Sequence, residues 1–531
     1  MEKYRHFGVM LDCSRNAVIN VATTKKFIDY IAVAGYNTLE LYMEDVYKIE
    51  SEHYFGYMRG GYSKTELKAI DEYAAKKGIK LIPAIQTLAH FTNLVKLEKY
   101  RDIVDVNDIL LIDDEKTYSL IENMFKTLAE CFTSREVNIG MDEAHMVGLG
   151  KYLDIHGFTN RYELLIRHLK RVSAIAEKYG FTAHMWSDMF FRLANNGEYY
   201  GANVKLDEKT VSYLPENIDP IYWDYYHTNE TDYDNMFSVH KKFNKNVWFA
   251  GGAWCWNGFA PYNGYSLKSM KAAMKSVRKN EIKDVFITMW GDNGKECSFF
   301  SLLPSLFAIR RYADGCFDDE KIKTEFKDAY GLSFDDFMML DLPNSTPIKS
   351  DELENPCKVM LYSDSFIGFY DNLIERHGNP DYLKLSENLK SAAERAGDLS
   401  YIFDCLSALC SALDIKYDLG LRIRTAYNNK DLAALGKIAE EMDILTDRIT
   451  NFWKAFKKLW FIENKPFGFE VQEARLGGVI LRVKSCKERL LDYINGEIET
   501  IEELDETLLP YNSINAISNN CYCRMISPSE L

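Results

Sequence analysis

Over roughly its first 310 residues the chain alternates between short unbroken apolar runs and longer stretches whose apolar residues recur three and four apart. Runs of four to seven residues read as strands buried on both faces, and the wider spacing as helices with one buried stripe. Gly8–Leu11 is the first run. A helix follows on Phe27, Ile28, Ile31 and Ala34, with Gly35 as its stop. Thr38–Met43 is the second strand, and Ser63-Lys64-Thr65-Glu66 is a capping box opening a helix on Leu67, Ile70 and Ala74. Ile79–Ile85 is the third strand, and a helix over Asp114 to Cys131 leads to the fourth, Val137–Met141, with a helix-like run from Ala144. The rhythm repeats through Leu164 to Ile175, Phe181–Trp186, Asp219–Trp223, Tyr233 to Lys242 and Val247–Ala250. It ends with a helix on Leu267, Met270, Met274 and Val277, the strand Val285–Met289, and a helix over Pro304 to Tyr312.

Eight strand-then-helix units predict an α/β fold, a (β/α)₈ barrel. An open doubly wound sheet is the alternative, but no G-x-G-x-x-G follows the first strand. Beyond residue 316 strand-like runs vanish, and helical stretches appear around 379–416, 430–460 and 468–496. The expected organisation is a barrel over 1–315, an all-α domain over 316–515 and a loose tail over 516–531.

Composition narrows the function. The net charge of −15 argues against nucleic acid or an anionic membrane as partner. No apolar run approaches the ~20 residues of a membrane span. Met1 to His6 leads straight into the first strand, so no secretory leader is expected. Eleven cysteines without a C-x-x-C pair fit reduced thiols, and a soluble cytoplasmic protein is expected.

Polar and aromatic residues gather where the strands end: Asp12, Asp45, His90, Asp142, Glu143 and Asp188, then Asp224, Trp254, Trp290 and Asp292. In a barrel these ends converge on one mouth, where the chemistry of the fold sits. The stretch Asn138-Ile139-Gly140-Met141-Asp142-Glu143 stands out. Two adjacent carboxylates in a dry pocket cannot both ionise comfortably, so one pKa rises while the other stays low. That split suits a proton donor beside an anionic orienter. The plain alternative is a helix N-terminus, where acids are favoured. Asp142-Glu143-Ala144-His145 also spells a helicase box, but the chain lacks a G-x-x-x-x-G-K-[ST] phosphate loop.

With the barrel and its rim in place, the sequence resembles the family 20 glycoside hydrolases, the β-N-acetylhexosaminidases, in the branch with a helical C-terminal domain. The six residues ending in Asp142-Glu143 resemble the family's H-x-G-G-D-E signature at strand four. Met10 to Arg15 is similar to its strand-one motif and Pro83 to His90 to its strand-three segment. Tyr222-Trp223-Asp224 resembles the Tyr-x-Asp of the acetamide pocket, and Trp290-Gly291-Asp292 the Trp-x-acid pair of strand eight. There are departures. Asn138 stands for His, Met141 for Gly, and Phe7 for an Arg that serves sugar hydroxyls, and the small α/β domain that often precedes the barrel is missing.

The resemblance implies an exo-acting, retaining β-N-acetylhexosaminidase in which the substrate's 2-acetamido oxygen is the nucleophile, an exception to the two-carboxylate scheme. Its partners would be glycans ending in N-acetylglucosamine or N-acetylgalactosamine, with no cofactor or metal. Glu143 would act as acid and then base, Asp142 would accept the acetamide N–H, and Tyr222 would donate to the acetamide oxygen. Trp186, Trp254 and Trp290 would wall the sugar, each with a core role as the alternative. Asp224 and Asp292 would take sugar hydroxyls. His90 with Asp45 would form a relay behind the acid, with a purely structural histidine as the alternative, and Asn138 would be a supporting residue.

For the anchor that Phe7 cannot provide, Arg475 of the helical region is expected to reach the mouth, oriented by Glu470. The alternative is a domain contact in which the two bridge helices, while Arg15 pairs with Asp12. The same segment could come from a partner subunit, which would make the active form a homodimer. Three other readings remain. A barrel glycosidase with a protein nucleophile would want a carboxylate on strand seven, and Val247 to Trp256 has none. A non-catalytic glycan-binding protein would not need a proton donor. A metal set built on His90 and His145 lacks the H-x-H strand of barrel amidohydrolases.

Overall fold

The computed structural model describes residues 4–201, 204–344, 355–377, 380–509 and 521–529. Eight parallel strands close into a barrel: β1 (His6–Asp12), β2 (Thr38–Tyr42), β3 (Lys80–Ala84), β4 (Glu136–Asn138), β5 (Thr182–Trp186), β6 (Ile218–Trp223), β7 (Trp248–Gly252) and β8 (Asp284–Met289). Each pairs with the next, and β8 returns to β1 in register from His6 opposite Asp284 to Leu11 opposite Met289. The barrel strands are almost wholly buried, which is why they read as unbroken apolar runs.

Helices cover the outside at the expected places. Val21–Ala34 ends where Gly35 takes φ 93°, and Lys64–Lys76 opens on the Ser63–Glu66 capping box, with both reciprocal hydrogen bonds made. Strand four departs from expectation. It stops at Asn138, because Gly140 and Met141 take φ 70° and 72°, which breaks the extended backbone. The run after Ala144 is a series of turns, and the next helix begins only at Lys151.

The C-terminal region is helical. Tyr382–Ala393, Ser400–Lys416, Leu432–Glu463 and Phe469–Ile494 fall in the expected stretches, the first of which divides near Gly397 at φ 54°. Phe452 and Phe456 meet Phe259 of the barrel edge-on at 5.2 and 5.6 Å. The buried carboxyl of Glu463 accepts hydrogen bonds from Ser298 of the barrel and Tyr401 of the helices. Of the stretch expected to be loose, 521–529 is docked. Its helix Tyr522–Ile526 buries Met525, and Tyr370 Oη donates to Arg524 O at 2.6 Å. Residues 516–520 and 530–531 lie outside the described residues.

Periodicity gave no sign of the hairpin Val104–Val106/Ile109–Leu110 or of the helices Asp319–Tyr330 and Pro356–Tyr362. None of the eleven cysteines is in a disulfide. Among the described residues no helix is long and apolar enough to cross a membrane.

Candidate active site

The C-terminal ends of the strands enclose a pocket with a cavity volume of about 120 Å³. Its polar wall is Arg15, His90, Asp142, Glu143 and Asp292, and its apolar wall is built chiefly of Trp186, Trp223, Tyr225, Trp256 and Trp290.

The kink after β4 delivers the two carboxylates. Gly140, Met141 and Glu143 all take left-handed backbone, a conformation that costs a non-glycine residue roughly 1–3 kcal/mol and collects at functional sites. Position 140 has no freedom: a Cβ there would lie 2.1 Å from Gln86 Oε1 and 2.8 Å from Ile85 O. Gln86, just past β3, ties the kink together. Its Oε1 accepts the Met141 N–H at 3.1 Å, and its Nε2 donates to Asp142 Oδ1 at 2.7 Å. Asn138, fully buried, accepts the Gly140 N–H at 3.0 Å.

His90 completes the setting, with its Nε2 3.1 Å from Asp142 Oδ2 and 3.9 Å from Glu143 Oε2. Burial opposes charge on this ring, yet the Asp142 and Glu44 carboxylates push its pKa up to about 10. Burial would likewise raise Asp142, but His90 and Gln86 hold it below the usual carboxylate range. Asp142 is therefore an anion kept ionised out of water. Glu143 differs, with its side chain 47% exposed toward the pocket.

Three other carboxyls surround the pair. Asp188, fully buried, accepts the Glu143 N–H and Arg192 Nε, each at 3.2 Å, and is raised to about 7 by burial and then by the charges of Asp142 and Glu143. Glu44 is raised to about 7 and Asp292 to about 6 by burial, each opposed by the Arg15 guanidinium. Arg15 Nη1 lies 3.2 Å from Glu44 Oε1, and its Nε lies 4.0 Å from Asp12 Oδ2. Overhead, Trp290 meets Tyr42 edge-on at 4.8 Å and tilts against Trp186 at 6.0 Å. The buried Nε1 of Trp186 has no protein partner.

Residues 4–231 match the glycosyl hydrolase family 20 catalytic domain, and residues 335–522 match the glycoside hydrolase 20C C-terminal domain. The chain belongs to glycoside hydrolase family 20. It is similar to hexosaminidase D of Bos taurus, 23% identical over 232 residues that make up 42% of this chain and 62% of the relative. Hexosaminidase D of Homo sapiens is 22% identical over 221 residues, 40% of this chain and 43% of the relative. The matched stretch thus spans less than two thirds of either relative. A solved β-N-acetylhexosaminidase from Bacteroides fragilis NCTC 9343 superposes with a TM-score of 0.45 at 19% identity, covering 58% of this chain and 65% of that one.

The family 20 pocket of this chain gathers His90, Asp142, Glu143, Trp186, Trp290 and Asp292 as expected from their strand-end positions. Five other expectations need correction. Tyr222 faces outward: its ring packs on Phe237 and His240 of the covering helix, and its hydroxyl donates to Asp224 Oδ2 at 2.6 Å. Successive strand residues point to opposite faces, and Tyr222 has the wrong parity for the mouth. Asp224 is fully buried and accepts the Tyr226 and His227 N–H groups, so it caps the turn that turns Tyr225 and Tyr226 into the pocket.

Asp45 pairs with Arg59 at 3.0 Å rather than with His90; Glu44, at φ 43°, supplies the second charge there. Trp254 lies one layer back, stacked at 4.1 Å behind Trp256. Arg475 does not line the pocket. It donates to Asn293 O at 2.8 Å and Glu296 Oε1 at 3.1 Å, while Glu470 accepts the Gly468 N–H instead of orienting it. The guanidinium in the pocket is Arg15, whose sequence signal was its place three residues after Asp12 at the end of β1.

Proposed function

We propose that this family 20 chain is an exo-acting, retaining β-N-acetylhexosaminidase that removes terminal N-acetylglucosamine or N-acetylgalactosamine from glycans, with the substrate's acetamido oxygen as nucleophile. One observation carries the reading: a buried Asp142 held anionic by His90 and Gln86, next to a Glu143 side chain open to the pocket. An anion fixed in that setting has no proton to give, but it can accept an acetamide N–H and stabilise the positive charge that develops as the oxazolinium ring closes. Glu143 then protonates the departing glycosidic oxygen and later takes a proton from the attacking water. In this reading Tyr225, which lines the pocket where Tyr222 does not, donates to the acetamide oxygen and aligns its attack. Trp186, Trp256 and Trp290 enclose the acetamide and the sugar face. The resemblance to hexosaminidase D supports the same substrate class. Eleven cysteines outside any disulfide support a reducing compartment as its workplace.

Chromogenic β-glycosides test the reading. Turnover is expected for the N-acetylglucosaminide or N-acetylgalactosaminide and not for the plain glucoside. A thiazoline mimic of the oxazolinium ion should inhibit far better than the product sugar. Equal turnover of glucoside would refute participation of the acetamido group.

In this reading Arg15, which lines the pocket with Asp292, takes the anchoring role for the outer hydroxyls. Arg15→Ala is expected to lower kcat/KM by about 10- to 100-fold, since a hydrogen bond to a charged group is worth about 1.5–3 kcal/mol. Arg15→Lys should recover little, because an ammonium cannot serve two oxygens from one plane. Kinetics unchanged in both variants would leave Arg15 as a partner of Glu44 alone.

A further inference from the structure

We propose that the helical C-terminal region is a working part of the sugar site, in which Arg475, Gln472 and Tyr522 are positioning residues that hold the loop bearing Asp292. The loop is Gly291 to Glu296, directly after β8 and Trp290. Asn293, Gly294 and Lys295 take φ 42°, 126° and 52°, three successive residues in left-handed backbone. Such a run persists only where its surroundings over-determine it.

The determinants come from outside the barrel. Arg475 Nη1 donates to Asn293 O at 2.8 Å, Gln472 Nε2 to Gly294 O at 3.0 Å, and the Tyr522 N–H to Asn293 Oδ1 at 2.9 Å. Beneath them the buried Glu296 divides its carboxylate between Arg475 at 3.1 Å and the fully buried Lys358 at 2.7 Å. Tyr522 also lies under the Arg475 guanidinium, 4.8 Å from ring to cation. The approach is close: a Cβ at 294 would sit 2.6 Å from Arg475 Nη1 and 2.8 Å from Gln472 Nε2, and the φ of 126° itself calls for glycine. On the barrel side, Asp12 Oδ2 accepts the Gly291 N–H at 2.9 Å. Asp292 is the residue between these two anchors, in the pocket wall beside Arg15. A contact made only to join two domains could fall anywhere on the barrel surface. This one is concentrated on the backbone that immediately follows a pocket carboxyl, so its loss should reach the sugar through Asp292.

The kinetic part of this inference rests on the glycosidase reading; the clamp itself does not. In the full chain, with folding verified by melting temperature, Arg475→Ala is expected to lower kcat/KM on the N-acetylhexosaminide by roughly 10- to 100-fold, the scale of a displacement of about 1 Å in a positioned group. Asp292→Ala should lower it similarly, and the double variant should be no worse than Asp292→Ala alone. Should Arg475→Ala fail to fold, Tyr522→Pro removes the amide donor together with the ring under Arg475, at the first residue of its helix, where proline is tolerated, and the same cycle applies. Hydrogen–deuterium exchange supplies a readout that needs no turnover. Amides 292–296 should exchange faster in either variant while those of β1 and β4 stay as in the wild type. Penalties that add fully in the double variant, or unchanged exchange in the loop, would overturn the proposal. Faster loop exchange in a chain that hydrolyses no N-acetylhexosaminide would uphold the clamp and reject the glycosidase reading instead.

Discussion

Glu143→Gln is expected to lower kcat by about 10²–10⁴-fold while the sugar still binds, the usual scale for loss of a general acid. Gln has the shape of Glu and keeps a hydrogen-bond donor, so the pocket should remain intact. It cannot transfer a proton to the departing oxygen or receive one from water. The side chain is 47% exposed toward the pocket, so the substitution opens no cavity in the core. The loss should therefore be steepest for aglycones of high pKa, which need protonation to leave, and shallower for nitrophenyl groups, which do not. Binding of N-acetylglucosamine, followed by tryptophan fluorescence from the Trp186 and Trp290 walls, should change little. Near-normal turnover of a poor leaving group would place the acid elsewhere.

Asp142→Asn should lower kcat by about 10²–10³-fold, the range seen when a group stabilising transition-state charge is removed, with a smaller rise in KM. Two effects act together. The charge opposed to the oxazolinium cation disappears at the moment when it is needed. The setting is also built for an anion: Gln86 Nε2 donates to one carboxylate oxygen, and His90 Nε2 lies 3.1 Å from the other. An amide puts an NH₂ where one of those donors points, so one contact is lost or the side chain turns. Without Asp142, His90 also loses the chief attraction that raises its pKa against burial. A pure KM effect in steady-state kinetics would mean that Asp142 only places the substrate.

Much of this was readable without coordinates. The barrel strands are buried on both faces and their helices on one, so a local hydrophobic period reports each element directly, and strand ends mark the rim by topology alone. The Asp142–Glu143 pair, His90, Trp290 and Asp292 were found on that basis, because a residue just past a barrel strand has few places to go except the mouth.

What failed did so by one to three residues, or by one domain. Tyr222 against Tyr225, Asp45 against Glu44 and Trp254 against Trp256 are each decided by side-chain parity and by where the backbone kinks, and a shift of one residue turns a side chain from mouth to wall. The left-handed turns at Glu44, His90 and Met141 that set those directions involve ordinary residues, with no glycine to announce them. Arg475 was the larger error, since its surroundings are made by residues some 180 positions earlier. The sequence by itself thus determined which elements form and which strand ends carry the chemistry, because burial period and chain direction are local properties. Only the tertiary structure decided which neighbour faces the sugar and which arginine touches the pocket, because those depend on the path of the loops and on the docking of one domain against another.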